Sequence, residues 1–295
     1  MDSMKDAHQN KNAFHLAGII PVASSTSEFN LPSHDVLMPL APNYNLVERS
    51  IAECSFAGCE SIWIVCNDDI APLIRHRVGE RVDDLASAER GAFVNHPSEV
   101  RVSIPIYYVP IHPKHRDKID CYAWSILHGA NVAYWLCRRL SRWAIPDRYF
   151  VSFPFGGYNP LVAKKARKDI ASFSPFYFSH EGRTVRDGLP AGFTFDACEW
   201  RRARDVIKKN SKAYYPPATG EMPSKRLPAA ERHQSRHFQL GDVFGGSSLE
   251  GSKISELSWF YDLTTWREYS ILLTSGHHEE LVRPRGLSVS GKWRN

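Results

Sequence analysis

Three neighbouring stretches decide how this chain folds: LAGIIPV (16–22), NYNLVERSIAECSFAG (43–58) and SIWIVC (61–66). The first and third are short apolar runs, the third rich in β-branched and aromatic residues, and both read as strands. Between them Leu46, Val47, Ile51 and Cys54 recur at helical spacing. Asn45 with Glu48 three residues on has the pattern of a capping box, and Gly58 stands where a helix stops. Strand, helix, strand in this order is a βαβ unit, which implies parallel strands with helices packed on the sheet. The expected class is α/β.

Composition sets the outer bounds. The 295 residues are 43% hydrophobic and 12% aromatic, enough apolar material for one large core or two small ones. No apolar run approaches the roughly 20 residues that span a bilayer, and the polar start MDSMKDAHQNKN lacks a signal-peptide core. A cytoplasmic protein with no membrane partner is the expectation. Cys54, Cys59, Cys66, Cys121, Cys137 and Cys198 fall inside expected strands or helices and read as reduced core residues, the Cys54/Cys59 spacing being a weak zinc signal. The net charge of +5 gathers in RHRVGER (75–81), CRRLSRW (137–143), KKARK (164–168) and WRRARDVIKK (200–209). Such clusters are solvated helix faces or contacts for an anionic partner, and no motif for specific nucleic-acid recognition accompanies them.

Residues 1–13 read as a polar tail, followed by one domain over 14–276 and a polar, basic tail over 277–295. ASSTSEFNLPSHD (23–35) is a long polar loop. NDDIAPLIRHRVGERV (67–82) is a loop entering a helix, with Asp68 and Asp69 suited to its N-terminal end. RVSIPIYYVPI (101–111) is a strand and CYAWSILHGANVAYWLCRRLSRW (121–143) the strongest helical pattern. RYFVSFPF (148–155), FYFSHEG (176–182) and AGFTFDA (191–197) read as strands, and WRRARDVIKKNSK (200–212) as a helix. The proline-rich stretch 214–237 is an irregular excursion, FQLGDVFGGSSLEG (238–251) a strand with a Gly-rich turn, and 254–275 a strand, turn and helix.

DVLMPLAPNYNLVERSIAECSFAGCESIWIVCND (35–68) and SWFYDLTTWREY (258–269) resemble two segments of the sugar-phosphate nucleotidylyltransferases. FVSFPFGGYNPL (150–161) and AGFTFD (191–196) add weaker matches, and the order of pieces agrees over most of 16–275. The resemblance implies a Rossmann-like GT-A nucleotidyltransferase fold, a mixed, mostly parallel sheet with helices on both faces. It also implies a nucleotide or nucleotide sugar as ligand and Mg²⁺ as cofactor, with Asp262 on a metal-ligand position. Asp68, at the carboxyl end of a parallel strand, is a second metal candidate, with helix N-capping as the alternative for it and a turn cap as the alternative for Asp262.

Transfer of a nucleotidyl group needs in-line attack at the α-phosphorus and neutralisation of the charge that gathers there. The family meets this with a Gly-rich phosphate loop, a lysine and carboxylate-held Mg²⁺. Here the loop position reads Pro21, Val22, Ala23, Ser24, Ser25, Thr26, with no glycine or arginine. Asp35 falls on the lysine position, and Pro154 or Phe155 on that of the first metal aspartate. Pro21, Val22 and Ala23 remain candidates for nucleotide contact. So do His112, Lys114 and Arg116, in a basic loop ahead of the long helix, and Cys121, where the family recognises the base through main-chain groups. That basic loop reads equally well as a solvated connection. His277, His278, Glu279 and Glu280 point to different faces and read as a polar helix end.

Two functions follow: a divergent nucleotidyltransferase with a degenerate site, or a fold that has lost the chemistry and serves in assembly. HLAGIIPVA and LMPLAPNY are similar in wording to proteins of tailed phages, which adds a virion or protein partner, or a homo-oligomer, to the second.

Overall fold

The computed structural model describes residues 14–23, 27–31, 33–85, 103–111, 121–210, 238–247 and 249–283. The opening unit is as the sequence reads: β1 (Leu16–Pro21), a small hairpin of β2 (Pro39–Ala41) and β3 (Tyr44–Asn45), α1 (Leu46–Ala57) and β4 (Ser61–Asn67). Asn45 accepts the Glu48 amide at 3.0 Å while Glu48 accepts the Asn45 amide at 2.9 Å, so the capping box is closed. Gly58 ends α1 at φ 93°, the left-handed conformation that favours glycine.

The chain continues through α2 (Ala71–Val78), β5 (Arg81–Asp83), β6 (Ser103–Ile111), α3 (Tyr122–Leu140) and β7 (Arg148–Val151). Then come β8 (Gly156–Gly157), α4 (Leu161–Lys165), α5 (Arg167–Ile170), β9 (Phe176–Ser179), β10 (Phe193–Phe195) and α6 (Ala197–Asn210). The last are α7 (Leu240–Phe244), β11 (Lys253–Glu256), β12 (Tyr261–Asp262), α8 (Trp266–Thr274) and α9 (His277–Val282).

Eight strands form one sheet in the order β11-β9-β10-β7-β1-β4-β6-β5. The central pairs β7/β1, β1/β4 and β4/β6 are parallel, as is β9/β11, whereas β10 and β5 run antiparallel to their neighbours. Alternate strand residues feed two cores. Leu16, Ile20, Ile62, Ile64 and Phe150 pack under α1, and Ala17, Ile19, Trp63, Val65 and Tyr149 under α3 and α6. Burial on both faces explains why these strands read as continuous apolar runs. On α3, a Cβ at Gly129 would stand 2.5 Å from Val65 Cγ2, so the missing side chain lets this helix sit close on the sheet.

Several expectations need correction. The stretch 238–251 holds α7 rather than a strand, because Gln239 and Asp242 close a capping box. The helix of 67–82 ends at Val78 and is followed by β5, since Gly79 breaks it. Neither Asp68 nor Asp69 caps α2: its N-cap is Ile70, with no side-chain cap, and Pro72 starts it. The C-terminal tail does not begin at 277, where α9 buries Leu281 and Val282. Cys198 is exposed, while the other five cysteines are buried as expected. No helix among the described residues is long and apolar enough to cross a membrane.

Candidate functional site

The connections fix where a ligand can sit. From β1 the chain moves to β4 and β6 in one direction, then returns through α3 to place β7 on the other side of β1. The order therefore reverses between β1 and β7, and open α/β sheets bind ligands outside the carboxyl ends of strands at such a point. Around it lie Val22 and Ala23 after β1, Cys121 and Tyr122 at the start of α3, the turn 152–158 after β7, and Asp262.

The β1 end is closed in on itself. The Val22 and Ala23 amides both donate to the Val65 carbonyl, at 2.8 and 2.9 Å, and Pro21 has no amide hydrogen. The Ala23 carbonyl accepts Ser125 Oγ at 3.0 Å. These three residues thus present no phosphate cradle of the Gly-rich kind. Cys121 is buried and caps α3, its sulfur accepting the Trp124 amide at 3.4 Å. His112, Lys114 and Arg116 lie outside the described residues.

Asp262 stands on β12, paired with Gly156 of β8, and the next residue, Leu263, donates to the Phe155 carbonyl at 2.8 Å. The two positions that the resemblance assigns to metal ligands are therefore adjacent in space. Only one of them is a carboxylate: Phe155 is 1% exposed and packed in the core under α1. Asp262 Oδ1 accepts the Thr264 amide at 3.2 Å and Thr264 Oγ1 at 2.8 Å, an Asx turn, and Thr265, not Asp262, caps α8. Asp68 lies elsewhere, on a hollow with Arg75, His76 and Tyr108. Among the described residues no group of three His, Cys, Asp or Glu is placed to hold a metal.

Two buried polar atoms on this edge have no hydrogen-bond partner: Tyr122 Oη and, at the end of β4, Asn67 Oδ1. The Tyr122 ring packs edge-to-face on Phe153, with centroids 5.6 Å apart. Burial, reinforced by the negative charge of Asp262, pushes its phenol well above the ordinary range. A neutral hydroxyl able to donate and accept thus lies in the field of the Asp262 carboxylate.

The rest of the wall carries negative charge. Asp35, on the lysine position, accepts Ser27 Oγ. His34 beside it is pushed down by burial, against the pull of Asp35 and Asp69, and is neutral at pH 7. Glu28 ties the loop after β1 to α8 by accepting the Trp266 amide at 2.7 Å, and Phe29 packs against Trp266 and Tyr269.

Sequence reasoning missed the polar network beneath the 152–158 turn. Arg49 and Glu53 of α1 form a fully buried ion pair at 3.1 Å. Arg49 donates to the carbonyls of Phe153 (3.1 Å) and Tyr158 (3.3 Å), and Glu53 accepts the hydroxyls of Ser152 and Tyr158. Tyr158 Oη in turn accepts the Gly192 amide at 3.0 Å. Burial opposes the Arg49 charge, but Glu53 and Tyr158 outweigh it and hold its pKa above the ordinary value. An Arg and a Glu four apart also mark ordinary exposed helix faces, so the sequence carried no signal of this role.

No family model matches the sequence, and no curated protein matches it. Its fold is similar to a crystal structure from Bacillus anthracis, provisionally described as a glucose-1-phosphate thymidylyltransferase, in complex with a sucrose. The TM-score is 0.50 at 10% identity, over 90% of this chain and 98% of that one. The fold is nucleotidyltransferase-like. A structure from Mycobacterium tuberculosis H37Rv is similar at TM-score 0.41 and 14% identity, over 90% of this chain and 100% of that one. At 10% identity the likeness to the Bacillus anthracis structure is one of fold alone, and activity has to be argued from this chain's own residues.

Proposed function

We propose that this protein binds a nucleotide or nucleotide sugar at the carboxyl edge of β1, β4 and β7, and that the metal-assisted transfer step has degenerated. The observation that carries the reading is the unpartnered Tyr122 hydroxyl at the switch point, in the field of Asp262. A buried hydroxyl without a partner is costly unless a ligand or water completes it. The residues do not fit a Mg²⁺ held by protein carboxylates on two sides. An ion arriving with nucleotide phosphates is the arrangement that Asp262 alone can serve, since Mg²⁺ commonly uses one or two carboxylates plus phosphate oxygens.

A thermal-shift panel of nucleoside triphosphates and nucleotide sugars, each with and without Mg²⁺, tests this. Ligand at a hundred times its Kd stabilises by about 2.7 kcal/mol, roughly 5 °C for a chain of this size. Tyr122→Phe, which keeps the ring packing, is expected to shrink the shift, and Asp262→Ala to remove its Mg²⁺ dependence. No shift at millimolar ligand overturns nucleotide binding. The assembly role then becomes the better account, and the inward-turned amides of Val22 and Ala23 already favour it.

A further inference from the structure

On the opposite side of the sheet from α1, a valley of about 640 Å³ runs between α3 and α6. Trp124, Tyr134, Trp135, Trp200, Arg201 and Arg204 dominate its walls, and no carboxylate lines it among the described residues. We propose that this valley docks an acidic segment of a partner protein, anchored by apolar side chains.

The composition is that of a protein-interface centre, where Trp, Tyr and Arg are enriched and Asp and Glu depleted. The walls are also rigid. Trp200 Nε1 donates to the Leu127 carbonyl at 2.9 Å, so the indole is fixed before any partner arrives. Trp135 in the valley wall is 50% exposed, an apolar surface ready for a partner. The valley face of α3 runs from Trp124 to Trp135, about 16 Å at ~1.5 Å per residue, the length of a short peptide segment.

Charge selects among occupants. Arg204 lines the valley and is exposed, so a carboxylate on the incoming segment meets a guanidinium group that can bind it with two parallel hydrogen bonds. A second copy placed valley to valley would set arginine against arginine. A single-stranded nucleic acid would need open aromatic faces, but Arg204 lies over the Trp200 ring and Arg138 over the Trp135 ring, each at 5.3 Å.

The test selects from displayed random peptides, about 12 residues long to match the valley, on the intact protein. The Arg201→Glu/Arg204→Glu variant serves as counter-target. Enriched peptides are then measured by fluorescence anisotropy on the wild type, the double variant and Trp135→Ala. All three positions are exposed, and thermal melts check that the variants fold. The expected result is acidic peptides with apolar anchors that lose roughly tenfold or more in affinity on either variant. Absence of enrichment, peptides without acidic residues, or equal binding to all three proteins overturns the proposal. So does variant-sensitive binding of a labelled oligothymidylate, or variant-sensitive self-association in sedimentation, where no peptide binds.

Discussion

Removing Arg49 is the sharpest test of how the site is held. In Arg49→Met the apolar stem is kept, but Glu53, at 0% side-chain exposure, loses its counter-charge, and the Phe153 and Tyr158 carbonyls lose their donors. Breaking one side of a buried pair costs about 3 to 5 kcal/mol, largely because the remaining charge is stranded. Glu53→Leu is expected to cost about as much, since it strands Arg49 and leaves the Ser152 and Tyr158 hydroxyls without their acceptor. The double variant strands no charge, so its cost should fall at least about 2 kcal/mol short of the sum. Urea unfolding followed by tryptophan fluorescence, with circular dichroism to check that the transitions coincide, measures all three. Additivity within about 0.5 kcal/mol, or a single variant costing under about 1 kcal/mol, would refute the network as the support of the 152–158 turn.

Glu48 is raised to about 7 by burial, against Arg77 and the Asn45 amide. Its folded value lies above the unfolded one, so its contribution is full below about pH 4.5 and lost as pH rises through 7. Glu48→Gln keeps the capping pattern and should raise stability at pH 8 by about 1 to 2 kcal/mol with no gain at pH 4, read from urea midpoints. Asp35→Lys replaces repulsion by attraction on the lysine position and should tighten triphosphate binding by roughly tenfold in calorimetry, with an unchanged affinity counting against that placement. Phe155→Asp puts a carboxylate on one of the two positions, Pro154 or Phe155, that the resemblance gives the first metal ligand, but the side chain is 1% exposed in the core. It should destabilise by about 4 kcal/mol and give no calorimetric Mg²⁺ binding.

Much of the fold was legible because its signals are local. The β1-α1-β4 unit carries its capping box, stop glycine and apolar runs within some fifty residues, and the structure reproduces each. The 238–251 stretch misled because its Gly-rich wording hid the Gln239/Asp242 box. The site was less legible because it depends on which distant residues meet. The pairing of Asp262 with Gly156 is visible in the sequence only through the resemblance, and nothing local marks Tyr122 as the hydroxyl left open in its field. Arg49 and Glu53 were hidden because α1 is buried on every side, and a charge pair in such a helix looks in sequence like a solvated one.

The packing opposite Asp262 limits what the 152–158 turn can present to a ligand. A Cβ at Gly156 would stand 2.4 Å from the Pro190 carbonyl, so the residue paired with Asp262 cannot carry a side chain unless the backbone moves. Phe155, one residue earlier, is committed to the core, and the turn is tied from beneath by Arg49 and Glu53. The same segment cannot both be held this way and offer a second carboxylate to a cation. The charges beneath the turn, Arg49 and Glu53, neutralise each other within the protein. Asp262 is exposed on this edge, while the Tyr122 hydroxyl is buried without a partner. On the proposed reading, a site with one carboxylate and one packed wall would recognise a ligand without dividing the charge of a phosphoryl transition state between two protein carboxylates.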